Sequence, residues 1–294
     1  MRVIALLPAA TEIVAALGGS GHLVGISHEC DYPRSVLRLP RVTTTSVNVE
    51  APGAAIDAEV RRLSASGNPV IGIDAHELRS LAPDLVITQS LCDVCAVADG
   101  ELHRLATALD PAPRILSLGA RDVPGIWSDI RRVGDALDLA DEAEELVLGL
   151  ESRMARLGSR QSARPHVVCI EWLEPLYLAG HWVPELVEAA GGEDVGSRPG
   201  SHSTRREWDE LAALEPDHAL VMLCGFGVDR ALKELQALSD QAGLDFLRRV
   251  TVSVIDGNAY TSRPGPRVVD GAARISSALS AQTSQDVRRW QPVR

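Results

Sequence analysis

The stretch at residues 141–160, DEAEELVLGLESRMARLGSR, does most to limit what this chain can fold into. Apolar side chains recur at Ala143, Leu146, Val147, Leu150, Met154 and Leu157, the three-and-four spacing of one buried helical stripe. Glu142, Glu144, Glu145, Glu151, Arg153 and Arg156 mostly fall on the other faces. Asp141 followed by Glu144 gives a capping-box-like start, and Gly158 ends the pattern as a C-terminal glycine. About 17 residues rising 1.5 Å each make roughly 25 Å of helix, enough to cross between two compact bodies. Blocks of alternating strand-like and helix-like segments lie on either side. The pattern therefore predicts a strut between two α/β lobes, led into by a helix over 124–137.

At 294 residues the chain is long enough for two lobes that each bury a core. The division expected is an N-terminal lobe at 1–120, connecting helices with the strut at 121–160, a C-terminal lobe at 161–280 and a loose tail at 281–294. A net charge of -11 argues against a nucleic-acid partner, which would need clustered Lys and Arg. No apolar run is long enough to insert across a membrane. In MRVIALLPAATEIVAALG the apolar run is cut by Pro8, Thr11 and Glu12, so it reads as a strand and a helix, not a signal peptide. With Met1 as the native start the expected location is the cytoplasm; with a leader removed, it is the periplasm or cell surface. Five cysteines with one C-x-x-C fit reduced thiols better than a disulfide framework.

In order, strands are expected at 3–7, 23–26, 85–88 and 114–118, with helices at 12–17, 54–64 and 100–109. Pro8-Ala9-Ala10-Thr11 reads as a turn into the first helix. The second block has strands at 166–170, 219–223 and 252–255 and helices at 183–190, 206–214 and 268–280. Such alternation implies parallel sheets with helices on both faces, an α/β fold.

Chemically capable residues follow the carboxyl ends of these strands, where open α/β sheets bind ligands. His28, Glu29 and Cys30 follow the second strand, and Leu91, Cys92 and Cys95 lie in the loop after Gln89. Glu171 and Trp172, Cys224, and Tyr260 with Arg263 follow strands of the second block. His28, Cys30, Cys92 and Cys95 form a nitrogen and sulfur set suited to zinc or iron, which only the fold could bring together. With no second C-x-x-C, Cys92 and Cys95 read more simply as two small buried side chains at a helix start. Glu171-Trp172 and His181-Trp182, in a chain with 3% aromatics, look like a wall for a flat ligand more than core filler. Trp127, Trp208 and Trp290 are expected to be structural, and His22, His76, His103, His166 and His218 to be surface or satisfied polar residues. Gly225-Phe226-Gly227 lacks the third glycine of a dinucleotide fingerprint. Gly-x-Ser-x-Gly, His-Glu-x-x-His and a glycine loop with Lys are all absent from the sequence.

Several longer segments go together. RVIALLPAATEIVAALGGSGHLVGISHECDYP, LAPDLVITQ, WVPELVEAAGGEDV, LAALEPDHALVM and RPGPRVVDGAARI resemble the helical-backbone, class III periplasmic substrate-binding proteins of ABC importers, over about residues 2–280. That class includes cobalamin, haem and iron-siderophore receptors, and the likeness is nearest to the cobalamin-binding receptor. The resemblance implies two Rossmann-like lobes with parallel sheets joined by a single long helix, a ligand in the cleft between them, and little movement on binding. It places ligand contacts at Pro8-Ala9-Ala10, at Asp31-Tyr32-Pro33, after Gln89 and around Trp172, with Tyr32 and Trp172 against a corrin ring or its nucleotide tail. The residues that dock such receptors on a permease have approximate counterparts at Glu77 and Glu207. The His28-Glu29-Cys30 and Cys92-Asp93-Val94-Cys95 clusters lie outside the usual receptor pattern.

Three functions compete at this point. The first is a non-catalytic binding protein for cobalamin or a related corrinoid, serving an ABC permease or, in the cytoplasm, a corrinoid-accepting protein; His28, Cys30, Cys92 or His181 would supply an axial ligand to cobalt. The second is a metal-dependent enzyme using His28, Cys30, Cys92 and Cys95, with Glu171 or Glu29 as general base. The third is an iron-chelate receptor, for which Arg263, Arg267, Arg198 and Arg205 are the candidate cations.

Overall fold

The computed structural model describes residues 1–90, 99–157, 164–238 and 245–291. The chain divides into two compact units, the first comprising Met1–Ala51, Ala55–Ala120 and Pro124–Leu148, the second Pro52–Ala54, Arg121–Val123 and Gly149–Arg294.

The elements run β1 Val3–Ala5, α1 Pro8–Ala16, β2 Leu23–Ile26, β3 Thr43–Thr45, α2 Gly53–Ala65, β4 Ile71–Ile73, α3 Ala75–Ser80, β5 Leu85–Gln89, α4 Asp99–Thr107, β6 Arg114–Leu118, α5 Val123–Ala136 and α6 Ala140–Ala155. They continue as β7 His166–Leu173, β8 Leu176–Leu178, α7 Val183–Ala189, β9 Glu193–Asp194, β10 Thr204–Arg205, α8 Trp208–Ala213, β11 His218–Val221, α9 Val228–Ala237, β12 Thr251–Ile255, α10 Gly257–Tyr260, α11 Val268–Leu279 and β13 Val287–Trp290.

The first unit holds a four-stranded sheet in the order β2-β1-β5-β6, parallel throughout, and a small antiparallel pair, β3 with β4. Its central strands are short apolar runs buried on both faces, as parallel strands covered by helices are. Ile4, Leu6, Val42, Ile71, Leu78, Val86 and Leu102 form a core cluster beside this sheet. The first helix begins at Pro8 rather than at Glu12, because a proline at the first helical position gives up an N–H the helix does not use. Asp74 caps α3 by accepting from the N–H groups of His76 and Glu77.

The second unit holds a mixed sheet in the order β10-β8-β7-β11-β12-β13, with β9 along the start of β7. Strands β7, β11 and β12 are parallel, and β8, β10 and β13 join antiparallel. Two expectations are corrected here. Strand β7 does not stop at Ile170 but runs through Glu171 and Trp172 to Leu173, because β8 turns straight back and pairs with it. Residues 287–290 are not loose: β13 pairs with β12, and Val287 and Trp290 bury against the sheet with two arginines between them turned out. The long central helix is present as α6, 16 residues rather than the 17 expected, and the division between the units falls within it. Among the described residues no helix is long and apolar enough to cross a membrane.

Candidate functional site

In the first unit, the loop after β2 is tied inward at each polar residue. His28 donates its backbone N–H to Thr43 Oγ1 at 2.9 Å, and its Nδ1 lies 2.7 Å from the same oxygen. Thr43 in turn donates to Ser27 Oγ at 3.1 Å. Burial lowers the His28 pKa, opposed by Glu29 and aided by Arg41, so the imidazole is neutral at pH 7. Arg41 clamps the loop by donating to the carbonyls of Ser27 at 2.8 Å and Cys30 at 2.6 Å. Cys30 is buried with Sγ 3.1 Å from Thr11 Oγ1 on α1. His28 and Cys30, two residues apart, are thus fastened to different neighbours, β3 and α1. Glu29 and Tyr32 are exposed, and Gln89 ends β5 half-buried. Pro8, Ala9 and Ala10 form the first turn of α1, with both alanines buried. Leu91, Cys92 and Cys95 lie outside the described residues. Among the described residues, no three His, Cys, Asp or Glu side chains are grouped to hold a metal ion.

The second unit brings aromatic residues together. Trp172, near the end of β7, faces Phe226, in the loop between β11 and α9, with ring centroids 5.3 Å apart and planes tilted by 59°. The Arg230 guanidinium lies 3.7 Å over the Phe226 ring. Trp172 Nε1 donates to the Glu174 carbonyl at 3.1 Å, which fixes the indole. These rings, with Leu173, Leu223 and Glu234, line a cavity of about 250 Å³. Glu234 also accepts the Gly53 N–H at 3.1 Å. Glu171, one residue earlier on β7, sits at the irregularity between Ile170 and Trp172 where the register with β8 shifts, and it does not line this cavity.

Farther along, His181 occupies the left-handed region at φ 54°. Its N–H donates to the Ser201 carbonyl at 2.6 Å and its carbonyl accepts the Gly200 N–H at 2.9 Å. Its Nε2 is buried with no hydrogen-bond partner, and the His202 ring stands edge-on at 5.4 Å. Burial, then His202 and Arg121, lower the His181 pKa, which favours a neutral imidazole whose Nε2 is closed off from solvent. Trp182 is buried and donates Nε1 to the Thr261 carbonyl at 2.9 Å, so it anchors its loop to the core. Arg263 is buried and donates to Asn258 Oδ1 at 2.8 Å. Of the described residues expected from sequence, Trp172 alone lines the cavity. Phe226, Arg230 and Glu234 were not anticipated; the aromatic amid two glycines was the one available signal.

Two units, one built on a parallel sheet and the other on a mixed sheet with parallel central strands, both with helices, define an α/β protein of the two-lobed binding-protein class. The chain belongs to the periplasmic binding protein family, which matches residues 3–250. It is thus a member of a family of binding proteins and not of enzymes. It is 20% identical to the ABC transporter substrate-binding lipoprotein YvrC of Bacillus subtilis, over 97% of this chain and 82% of that one. It is 23% identical to a vitamin B12-binding protein of Pectobacterium carotovorum, over 95% of this chain and 88% of that one. A periplasmic haem-binding protein from Pseudomonas aeruginosa has the same fold, with a TM-score of 0.72 at 20% identity, over 98% of this chain and 97% of that one.

Proposed function

We propose that this protein is a non-catalytic receptor for a flat, metal-bearing macrocycle, a corrinoid of the cobalamin type. The observation that carries the reading is the half-exposed Trp172 indole at the end of β7, held in place against the buried Phe226 ring, which offers apolar area to a planar ligand. It agrees with the family and with a vitamin B12-binding relative matched along 95% of the chain. The 250 Å³ cavity beside the indole is smaller than a whole corrinoid needs, so it would hold one edge or appendage of the ligand. His181, with a buried and unpartnered Nε2, would meet a metal centre only if the covering residues 200–202 moved aside. The receptor would hand its ligand to an ABC permease or another corrinoid-accepting protein, with Glu77 and Glu207 as candidate docking carboxylates.

A haem-binding neighbour of the same fold makes an iron porphyrin the second reading. Quenching of tryptophan fluorescence during titration with cyanocobalamin and, in parallel, with haemin separates the two. Saturable quenching by cobalamin, tighter than by haemin, is the expected result. The reverse order would move the assignment to porphyrins, and no saturable response to either would remove the macrocycle reading.

A further inference from the structure

The carboxyl of Asp194 sits inside the second unit with no cation beside it. Asp194 ends β9, which lies along β7 in the register His166 with Glu193 and Val167 with Asp194. Its Oδ1 accepts the N–H groups of Gly196 at 2.9 Å and Ser197 at 3.1 Å, which turns the chain away from the strand. Its Oδ2 is buried without a hydrogen-bond partner. The thiol of Cys169, itself 1% exposed, acts on the carboxyl from β7. The segment that begins at this turn ends on His181, where Gly200 and Ser201 make the two backbone hydrogen bonds that hold that residue in its left-handed conformation.

We propose that Asp194 and Cys169 form a pH-sensitive latch: protonated Asp194 keeps residues 195–201 closed on the sheet and so holds His181, and ionised Asp194 favours their opening. The reason is the asymmetry of the carboxyl. Oδ1 has its two amide donors in either state, whereas Oδ2 has none, and beyond those amides the charged carboxyl has only the weak Cys169 thiol, so it gains full solvation only when the covering segment lifts. Burial pushes the Asp194 pKa up to about 7, against the pull of the Gly196 and Ser197 amides and of Cys169. The same burial, with Asp194 and Glu171 as added negative neighbours, pushes the Cys169 thiol well above its usual range, so it stays protonated and donates no charge.

The surrounding elements supply no compensation. From β7 come Cys169 and Glu171. From α7, which packs against β9, come Glu185, engaged with the Val123 N–H at 2.7 Å, and Glu188, paired with Arg164 at 3.4 Å. Arg205, on β10, pairs with Glu207, Arg198 is exposed on the segment itself, and His202 is exposed just after it. Among the described residues no basic group acts on the Asp194 carboxyl.

Residue-resolved amide hydrogen exchange on the full-length protein between pH 5 and 8 tests the latch. After correction for intrinsic exchange, protection of the 196–201 amides and of His181 is expected to fall about tenfold per pH unit between pH 5 and 7 and then level off. Asp194→Asn should abolish that slope at these amides. Cys169→Ala, which removes a side chain favouring the charged carboxylate, should move the levelling point to higher pH. Amides of Ile170 and Leu220, in the centre of the sheet, are the internal reference and should show no such slope. Protection independent of pH in the wild type, the same slope in Asp194→Asn, or an equal fall at Ile170 and Leu220 would each overturn the proposal.

Discussion

Asp129 and Ala120 are joined by a hydrogen bond from the Ala120 N–H to Asp129 Oδ2 at 2.9 Å, and the same oxygen accepts the Gly119 N–H at 2.9 Å. One buried carboxylate on α5 therefore fixes the chain where it leaves β6, and its other oxygen accepts from Arg132 at 2.7 Å. Asp129→Ala strands two backbone donors at once and should cost about 3 kcal/mol of stability. Asp129→Asn, which keeps one acceptor oxygen, should cost less. Urea unfolding midpoints at constant slope check the order. Equal midpoints for wild type and Asp129→Ala would show that water replaces the carboxylate at no loss.

Two glycines separate packing from propensity. A Cβ at Gly257 would overlap the backbone carbonyls of Leu223 and Met222, which cannot move without breaking the edge of β11. Gly257→Ala is expected to cost about 3 kcal/mol or more. Gly149, in the interior of α6, has nothing within 4 Å of where its Cβ would be. Gly149→Ala should stabilise by about 0.5 to 1 kcal/mol, because alanine is the better helix former. Thermal melts of the two variants should shift in opposite directions.

His218 supplies a pH dependence of its own. It is 7% exposed on β11, its Nε2 has no partner, and burial lowers its pKa, with Arg289 adding and Asp217 opposing. A histidine whose folded pKa lies below the unfolded one contributes stability that is fully present above about 6.5 and is lost as the pH falls below that value. His28 and His181 are lowered in the same sense. The histidine contribution should therefore decline on acidification below pH 6.5, against the opposite contribution of Asp194, and between pH 7 and 5 His218→Val should lose less stability, or gain more, than the wild type. A variant whose stability changes as the wild type's does between pH 7 and 5 would assign the pH dependence to other groups.

Trp172 is half-buried and bonded only to its own turn through Nε1, so its removal should be tolerated by the fold. On the proposed reading Trp172→Ala weakens corrinoid binding at least tenfold, an aromatic platform being worth about 1 to 3 kcal/mol. Trp182→Ala differs: it removes a buried anchor that bonds Thr261 and should destabilise the protein. Circular dichroism melts beside binding titrations distinguish the two losses.

Much of the architecture was legible because it follows from local pattern. β2 and β6 fall where short apolar runs bounded by turn residues predict them. The amphipathic stripe at Ala143, Val147 and Leu150 is buried on α6 as its spacing requires. What escaped depends on pairing between distant segments. Nothing local says that Trp172 stays in a strand, since that is set by β8 folding back, nor that Val287 and Trp290 find the edge of β12. The site was less legible for the same reason. Residue type marked His28 and Cys30 as metal-capable, but Thr43 and Thr11 decide where the two side chains go. Phe226 and Asp194 carried no sequence motif; their roles arise from a ring 5.3 Å away and from a thiol on a neighbouring strand.

The most direct test of the central claim is equilibrium dialysis of the purified protein against cyanocobalamin, with cobalt and protein quantified in the same chamber. Saturation near one cobalt per chain and a clear loss of affinity in Trp172→Ala are the expected results. Cobalt equal on both sides of the membrane at every concentration would contradict that claim.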